Sequence, residues 1–364
     1  MKKTAYIPIV VYVAALFAVV EMTYAKEQNT NNTSFSSLIW SLPPAGPKAV
    51  KGKKILYVAT DLKNGGILGV AEGLEEAAKE MEWELVIVDG GGDSEKIRKA
   101  FQHALNQNMD GVILGGMNAN KYIMELRSLA DANTKIVCWH CSGKPGPVKG
   151  TPVQVNVTTD PRRVAELSTA EVIKDNSEKV GVIIFTDSNY EIALTKSYFM
   201  EYEIRKCSHC RLLEIVDLNL SEKSLIIQDR IKKLLNKYGS RWTHSLGIND
   251  LYFDFAAPVF ATYEENYPLA INNISAGDGS YSAYLRIKYG GLQHATIPEP
   301  LLLHGWQLVD ELNRLFNNKP PSNYIAPVIV ITEKNILTEV NENNLFDPLN
   351  NYRKVYRDSW GVGH

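Results

Sequence analysis

Ile55-Leu56-Tyr57-Val58-Ala59 is the stretch that decides the fold of this 364-residue chain. Five consecutive apolar residues are typical of a parallel strand that is buried on both faces. Gly69 to Met81 then repeats apolar side chains at helical spacing, and Leu85 to Val88 forms a second apolar run. The order strand, helix, strand predicts a parallel sheet with helices packed on its faces.

The same alternation continues outward from this unit and then starts again near residue 160. Further strands of the first series are predicted at 111–114 and 136–139, with helices at 97–105 and 122–130. The second series has predicted strands at 180–185, 212–216, 245–248 and 269–274, and helices at 160–174, 190–205 and 224–238. The sequence therefore predicts an α/β chain of two similar doubly wound lobes in tandem, as its length also favours.

The first 25 residues have the pattern of a secretory signal peptide. Lys2 and Lys3 precede an apolar run from Ile7 to Val20, and Thr23-Tyr24-Ala25 offers small residues for cleavage. An uncleaved membrane anchor is the alternative, but a run of 14 residues is shorter than the roughly 20 that span a bilayer. We therefore expect cleavage after Ala25 and export to a Gram-negative periplasm.

Residues 26–52 are predicted to form a linker, because they are rich in Asn, Thr and Ser and contain Leu42-Pro43-Pro44. The formal net charge is −2, and no basic block is present that would bind nucleic acid. The sequence contains no Gly-x-Ser-x-Gly, no His-Glu-x-x-His and no phosphate-binding loop. These patterns predict neither catalytic residues nor a cofactor, so an enzyme is disfavoured.

Three short motifs in the second half of the chain carry a family resemblance. They are Asn249-Asp250, Ala276-Gly277-Asp278-Gly279 and Ala295-Thr296-Ile297-Pro298-Glu299. In this order, behind an export signal, they resemble the ribose- and galactose-type periplasmic solute-binding proteins. The resemblance implies two lobes joined by a three-strand hinge. It implies a first lobe of 53–157 plus 300–326, a second lobe of 158–299 plus 327–340, and a C-terminal extension, 341–364, that packs on a lobe.

The resemblance also implies a ligand site between the lobes. Asp278 and Glu299 would accept hydrogen bonds from ligand hydroxyls, and Asn249 would both donate and accept. Lys196 occupies the position of a family arginine, and His140 that of a family aspartate. The remaining candidates are an amide in the first loop, Asn64, and a ring that stacks on the ligand, Trp139.

Each candidate also has a structural explanation. A lysine on a helix is usually exposed to solvent, an aspartate between glycines is often a turn residue, and a tryptophan in a strand is usually part of the core. Asp250 is expected to cap a helix rather than to contact a ligand. Gly65-Gly66 at a helix start could approach an anion, although Asp278 and Glu299 would repel one.

Four positions depart from the family pattern by lacking an aromatic ring: Gly66, Ile67, Leu220 and Gly277. Their side chains predict a roomier cleft and a ligand that is bulkier than ribose.

The four cysteines form two Cys-x-x-Cys pairs, Cys138/Cys141 and Cys207/Cys210. In a cytosolic protein such pairs would indicate zinc, but export favours disulfides. The first pair lies at a strand end that faces the cleft and the second follows a helix that leads away from it. A shared metal site is therefore not expected. A local Cys207–Cys210 bridge is predicted, whereas Cys138–Cys141 requires a turn, because an extended strand holds these residues about 10 Å apart.

We expect a monomeric receptor for one small sugar-like ligand, with no metal and no cofactor. Its partner would be an ABC permease. The alternative is a sensor subunit that reports the ligand to a membrane histidine kinase or chemoreceptor, and the sequence does not distinguish the two. A secreted hydrolase is a third class, disfavoured by the missing catalytic motifs.

Overall fold

Two separate sheets organise the chain in a computed structural model that describes residues 41–175, 177, 179–264 and 271–363. The predicted signal peptide, residues 26–40 of the predicted linker, and positions 269–270 of a predicted strand lie outside the described residues. Among the described helices, none is both long enough and apolar enough to cross a membrane.

The first sheet has five parallel strands in the order β2-β1-β3-β4-β5. Its strands are β1 Lys54–Ala59, β2 Glu84–Asp89, β3 Gly111–Gly115, β4 Lys135–Trp139 and β5 Val155–Val157. The helices between them are α1 Gly65–Glu80, α2 Ser94–Asn106 and α3 Ile123–Asp131. The central strand β3 is buried throughout and the edge strand β2 is not, as continuous apolar runs predict for the middle of a parallel sheet.

The second sheet has six described strands in the order β11-β10-β9-β8-β6-β7. They are β6 Val180–Thr186, β7 Cys210–Asp217, β8 His244–Gly247, β9 Asn272–Ser275, β10 Ala295–Thr296 and β11 Ile331–Thr332. The helices that accompany them are α4 Pro161–Ile173, α5 Glu191–Lys206, α6 Ser224–Tyr238, α7 Leu251–Glu264 and α8 Tyr281–Lys288. Strand β11 pairs antiparallel with β10, and the other pairs are parallel.

The chain crosses between the two sheets three times. It crosses between β5 and α4, between β10 and helix α9, Leu301–Phe316, and between α9 and β11. Helix α9 packs against α1 of the first sheet, so closely that a Cβ on Gly305 would overlap the backbone of Gly73. We call the β1–β5 sheet with its helices and α9 the first lobe, and the β6–β11 sheet with its helices the second lobe. The predicted fold class, two doubly wound lobes joined by a three-strand hinge, is confirmed.

The alternating side chains of β1 explain how the first lobe is packed. Ile55 and Tyr57 enter one core with α1 and α9, while Leu56 and Val58 enter a second core with α2 and α3. Successive residues of a strand point to opposite faces, so one apolar strand supports both layers of helices. The second lobe has its own core around β6 and β8.

Residues beyond the second lobe return to the first. A short helix α10, Ile336–Glu339, is followed by α11, Tyr352–Trp360, whose three buried aromatic residues, Tyr352, Tyr356 and Trp360, share one face. The Trp360 ring stacks on Trp306 of α9 with 5.5 Å between the ring centroids. On the same lobe, Ala49 N donates to Trp360 O at 3.0 Å.

Helix α1 begins four residues before the predicted start at Gly69. Asn64 Oδ1 caps the helix by accepting from Gly66 N at 2.9 Å. Glycine disfavours the helical state, so the apolar spacing alone misses this first turn, whereas the helix start at Gly65-Gly66 that was considered for an anion includes it. The correction matters for function because the first turn of α1 lies at the edge where the strands of the first sheet end.

Candidate functional site

A cavity of about 30 Å³ lies between the lobes, at the carboxyl ends of both sheets. Parallel α/β sheets usually bind ligands at this edge. The residues that line the cavity come from both lobes: Asn64, Ile67, Gly116, Trp139, His140, Tyr190, Ile192, Ala193, Lys196, Leu220, Ile248, Asn249 and Asp278. The structure thus brings six of the seven predicted ligand-binding residues to one cavity. The seventh, Glu299, lies behind its lining.

The first-lobe wall of the cavity consists of the start of α1 and the ends of β3 and β4. Trp139 is the last residue of β4, and its Nε1 donates to His304 Nδ1 at 3.1 Å. His140 follows with a φ of 53°, in the left-handed region that few non-glycine residues adopt. The two rings stack with 3.7 Å between their centroids. This wall therefore offers a flat ring surface with one imidazole.

The second-lobe wall is more polar. Lys196 of α5 is only 2% exposed, and its Nζ donates to Ala276 O at 2.8 Å and to Glu299 Oε1 at 3.1 Å. Asn249, which follows β8, donates from Nδ2 to Asp278 Oδ2 at 2.6 Å. Lys196 is therefore not exposed to solvent, although most lysines on helices are. It is a buried cation between a carbonyl and a carboxylate, as buried charges require.

Glu299 connects both walls and the hinge from a fully buried position. Thr159 Oγ1, on the first crossing segment, donates to its carboxylate at 2.9 Å. Lys196 approaches from the second lobe, and His140 Nε2 from the first lobe lies 3.4 Å from Oε1. His304 Nδ1 is 3.8 Å from Oε2. The predicted role of Glu299 as a direct acceptor from ligand hydroxyls stays a prediction, because its oxygens already face these four groups.

Burial and neighbouring charges shift the ionisation of this cluster in opposite directions. Burial raises the pKa of Asp278 to about 6, although Lys196 and His140 oppose the rise. Burial also disfavours the ionised form of Glu299, but His140 and Lys196 outweigh it and hold the pKa of Glu299 well below its usual range. Burial lowers the pKa of His304 to about 4, with partial opposition from Glu299. At neutral pH the cluster therefore holds an ionised Glu299, a largely ionised Asp278 and a neutral His304.

The expectation of a roomier cleft stays a prediction, because the lobes lie close together across the cleft here. A Cβ on Gly66 would overlap the Asp278 carboxylate of the other lobe, so the space of the missing ring is filled. Ile67 and Leu220 line the cavity themselves. A Cβ on Gly277 would lie 3.0 Å from Lys196 Nζ. A cavity of about 30 Å³ has room for only a few water molecules, so a sugar fits only when the lobes separate.

Contacts across the cleft mouth support this closed description. Ser142 Oγ of the first lobe donates to Glu191 Oε1 of the second lobe at 3.4 Å. A Cβ on Gly143 would overlap Thr195. A second, outer cavity of about 80 Å³ shares Gly116 and Tyr190 with the inner one. The two cavities are therefore neighbours, and both are lined by residues of the two lobes.

Sequence reasoning did not assign five of the lining residues to the site: Gly116, Tyr190, Ile192, Ala193 and Ile248. Ile192, Ala193 and Lys196 lie on one face of α5, since residues three and four apart are neighbours on a helix. Helical spacing from Lys196 would have found Ile192 and Ala193. Tyr190 immediately precedes the helix, and the sequence offered no signal for it.

The expected helix-capping role of Asp250 is corrected by the structure. Its Oδ2 accepts from Gly279 N at 2.8 Å and from Ser280 N at 3.2 Å, and its Oδ1 accepts from Gln293 Nε2 at 2.6 Å. Asn249 Oδ1 accepts from Leu251 N at the start of α7 instead. Asp250 therefore holds the turn that carries Asp278.

The cysteines form two local disulfides, Cys138–Cys141 and Cys207–Cys210. Their sulfurs are consequently not thiolate ligands for a metal. His140, Asp278 and Glu299 also bring potential ligand atoms within 4.8 Å of one another. Lys196 Nζ already supplies a positive charge to this group, 3.1 Å from Glu299 Oε1. The geometry thus favours a hydrogen-bonding site over a metal centre.

Comparison with known proteins gives one family and many related folds. The family described as periplasmic binding protein domain matches residues 55–237, just over half of the chain. A sugar ABC transporter structure from Yersinia enterocolitica subsp. enterocolitica 8081 has a TM-score of 0.70 at 13% identity, over 84% of this chain and 93% of that chain. No curated protein matches by sequence.

Two further solved structures have the same fold. A galactofuranose binding protein has a TM-score of 0.68 at 13% identity, over 78% of this chain and 96% of its own. An ABC transporter solute binding protein from Agrobacterium vitis with bound allitol has a TM-score of 0.67 at 15% identity, over 79% and 98%. Because the family and these structures are described as binding proteins, the chain is a binding protein and not an enzyme. It belongs to the periplasmic binding protein domain family and has the two-lobed type I fold of that family's sugar-binding relatives.

Proposed function

We propose that this chain binds one neutral sugar or polyol in the cavity between its lobes and delivers it to an ABC importer. The observation that carries the proposal is the buried set Lys196, Asn249 and Asp278 opposite the Trp139 ring. Hydroxyls both donate and accept, and charged partners form the stronger hydrogen bonds with them. Aromatic rings provide the apolar surface for the C–H face of a sugar.

The charges of the cavity support a neutral ligand. Lys196 is balanced by Glu299 at 3.1 Å, and Asp278 adds a further carboxylate to the lining. An anionic ligand would meet Asp278, and a cationic ligand would meet Lys196. The relatives named above include proteins described with galactofuranose and with allitol, both of which are uncharged polyhydroxy compounds.

Binding would require the lobes to open and to close again on the ligand. In the closed arrangement, Asp278 and Lys196 occupy the space beside Gly66 and Gly277. The experiment below therefore determines the size of the ligand. A ligand bulkier than ribose remains our proposal, and a ligand of ribose size is the alternative. Closure is favoured only by contacts that both lobes make with the ligand.

Calorimetry with D-ribose, D-galactose, allitol and myo-inositol tests this function, together with native mass spectrometry of the purified protein. We expect one of these compounds, or a co-purified sugar, to bind with a dissociation constant in the micromolar range or below. Asp278→Asn should weaken that binding and leave the fold intact. The proposal is wrong if no sugar or polyol binds and none co-purifies.

A sensor subunit is the second candidate, because the same cavity would serve a receptor that reports to a membrane histidine kinase or chemoreceptor. Uptake of the labelled ligand by cells with and without this gene distinguishes the two. Loss of uptake supports the importer, and normal uptake with a lost transcriptional response supports the sensor. Genes for a permease and an ATPase beside this gene would favour the first.

We propose a periplasmic location, with a mature chain that begins at Lys26. The motif that supports it is the apolar run from Ile7 to Val20 followed by Thr23-Tyr24-Ala25. The intact mass of the protein from a periplasmic extract tests this. A mass that includes residues 1–25 would contradict it.

A further inference from the structure

The Cys138–Cys141 disulfide encloses the two residues that form the ring surface of the first-lobe wall. Trp139 and His140 lie between the bonded cysteines and both line the cavity. Both cysteines are fully buried. The Cα atoms of Cys138 and Cys141 are 5.9 Å apart, whereas four residues of extended strand would place them about 10 Å apart. The chain must therefore turn within the bridge.

His140 makes that turn by adopting a left-handed backbone conformation. Its φ of 53° is uncommon for residues other than glycine, although histidine adopts it more often than most, as asparagine and aspartate do. Continuation of the strand would instead direct the side chain of residue 140 to the sheet face opposite Trp139, because strand side chains alternate. The turn is what lets the His140 ring stack on Trp139 and lie 3.4 Å from Glu299.

Neighbouring bonds hold the same loop but do not replace the bridge. Asn156 Oδ1 of β5 accepts from Cys141 N at 3.1 Å, and Asn156 Nδ2 donates to Ser142 O and Lys144 O. His140 N donates to Val157 O at 3.3 Å. These contacts hold the backbone N–H of His140 and the residues after the turn, whereas the covalent link joins the two ends of the turn.

The second disulfide, Cys207–Cys210, has the same sequence separation but lies outside the cavity wall. Cys207–Cys210 joins the end of α5 to the start of β7, with Cα atoms 5.2 Å apart. None of residues 207–210 lines the cavity. The chain thus contains a matched pair of Cys-x-x-Cys bridges, one within the cavity wall and one outside it.

We propose that the Cys138–Cys141 disulfide is a positioning element of the ligand site, which holds Trp139 and His140 in the conformation that faces the cavity. The inference rests on the proposed function for its effect on affinity. Its effect on the wall itself can be measured without any ligand. Opening the bridge lets His140 leave the left-handed conformation, so the wall loses its imidazole and its stacked ring pair.

The ligand-free test compares two double variants by NMR of protein labelled with ¹³C-histidine. Cys138→Ala/Cys141→Ala should shift the His140 ring signals, because the ring loses the shielding of the stacked Trp139. Cys207→Ala/Cys210→Ala should leave those signals in place. Unchanged His140 signals in the first variant, or equal shifts in both variants, would overturn the proposal.

The affinity test uses whichever of D-ribose, D-galactose, allitol or myo-inositol the wild type binds. We expect Cys138→Ala/Cys141→Ala to weaken binding about tenfold or more, and the control pair less than about twofold. Adding His140→Ala to the first variant should cause less than about twofold further loss, because interactions that act through one residue are not additive. Full additivity would contradict a role that acts through His140.

If Cys138→Ala/Cys141→Ala does not fold, chemical reduction of the Cys138–Cys141 bridge in already folded protein replaces it as the test. A phosphine and one water molecule reduce the remaining bridge of Cys207→Ala/Cys210→Ala: water supplies the two thiol hydrogens and the oxygen of the phosphine oxide. Alkylation followed by mass measurement reports completion. Complete reduction should shift the His140 signals and weaken binding. Reduced protein with unchanged signals overturns the inference. Failure of every sugar to bind the wild type overturns the proposed function instead, while the NMR result still decides the role of the bridge.

Discussion

The second-lobe wall meets the cavity with Lys196, Asn249 and Asp278. Asn249 and Asp278 bond to each other, and Lys196 bonds to Glu299 and to a backbone carbonyl. The first-lobe wall offers the stacked rings of Trp139 and His140. The polar wall is held by hydrogen bonds behind it, such as that from Gln293 to Asp250. The ring wall is held by a covalent turn.

This difference indicates a division of labour between the lobes. Fixed amides, a carboxylate and a cation select the hydroxyl pattern of a ligand, because an unmatched polar group in a buried site is costly. A flat ring surface selects little by itself but excludes water when the cleft closes. We therefore expect substitutions that block closure to have the largest effect, followed by those in the second-lobe wall and then those in the first-lobe wall.

Gly66→Ala should have the largest effect, since its Cβ would overlap the Asp278 carboxylate in the closed state. We expect a loss of affinity of about a hundredfold or more, which corresponds to at least about 3 kcal/mol. Calorimetry with the identified ligand measures it. Gly65→Ala is the matched control, because its Cβ would lie 3.5 Å from Ser280 Cβ, an ordinary contact. Equal affinities of the two variants would show that the lobes do not close as described.

Asp278→Ala should weaken binding by about ten- to a hundredfold, because it removes a charged acceptor worth roughly 1.5–3 kcal/mol. The stability of the ligand-free protein should change much less. Asp278→Asn keeps the shape of the side chain and separates the loss of charge from the loss of contact. An unchanged affinity of Asp278→Ala would mean that this cavity is not the binding site.

Trp139→Leu should reduce affinity by about tenfold, since a ring contact contributes about 0.5–1.5 kcal/mol beyond its buried area. Trp139→Phe keeps a ring and loses only the bond to His304 Nδ1, so we expect a loss of about threefold or less. Titration calorimetry compares the two. Equal losses for Phe and Leu would show that the bond to His304, which both variants lack, matters more than the ring surface.

We expect the smallest effects in the pH dependence of the free energy of unfolding between pH 5 and 6.5. The folded-state pKa of Asp278 is about 6, above the usual value near 3.9, so its contribution to stability falls as pH rises through this window. The folded-state pKa of His304 is about 4, below the usual 6.5, so its contribution falls as pH falls. The two groups therefore oppose each other in the wild type.

Variants should reveal the opposing slopes, each at most about 1.4 kcal/mol per pH unit. Asp278→Asn leaves the His304 contribution, so the free energy of unfolding should fall as pH falls from 6.5 to 5. His304→Gln removes the His304 contribution, so the difference between its free energy of unfolding and that of the wild type should rise as pH falls over the same range. Urea unfolding at several pH values measures both. Parallel profiles for the two variants would contradict the assigned pKa directions.

Much of the fold could be predicted because buried parallel strands have continuous apolar sequences. The run at Ile55–Ala59 predicted β1 within one residue. The same logic placed Asn249 and Asp278 correctly, since residues that follow parallel strands share one edge of the sheet. The family resemblance predicted Lys196 as a ligand-binding residue, which helical spacing alone does not indicate.

Features that depend on the meeting of the two lobes could not be predicted from local patterns. Gly66 suggested extra space, yet the space belongs to Asp278 of the other lobe. Glu299 suggested a ligand contact, yet Thr159 and Lys196 already bond to its carboxylate. Both differences have one cause, because a sequence pattern reports the neighbours of a residue along the chain and not those across a cleft.

The aromatic face of α11 has a mechanical consequence. Trp360 stacks on Trp306 and accepts a hydrogen bond from Ala49, so segments from both ends of the described chain are fastened to the first lobe. The second lobe is joined to it by the three crossing segments and by the residues between α10 and α11, which lead from the second lobe back to the first. Opening of the cleft would therefore displace the second lobe relative to the first lobe and to α11. A pair of fluorophores, one on α11 and one on α6, would report the opening angle as a change in energy transfer.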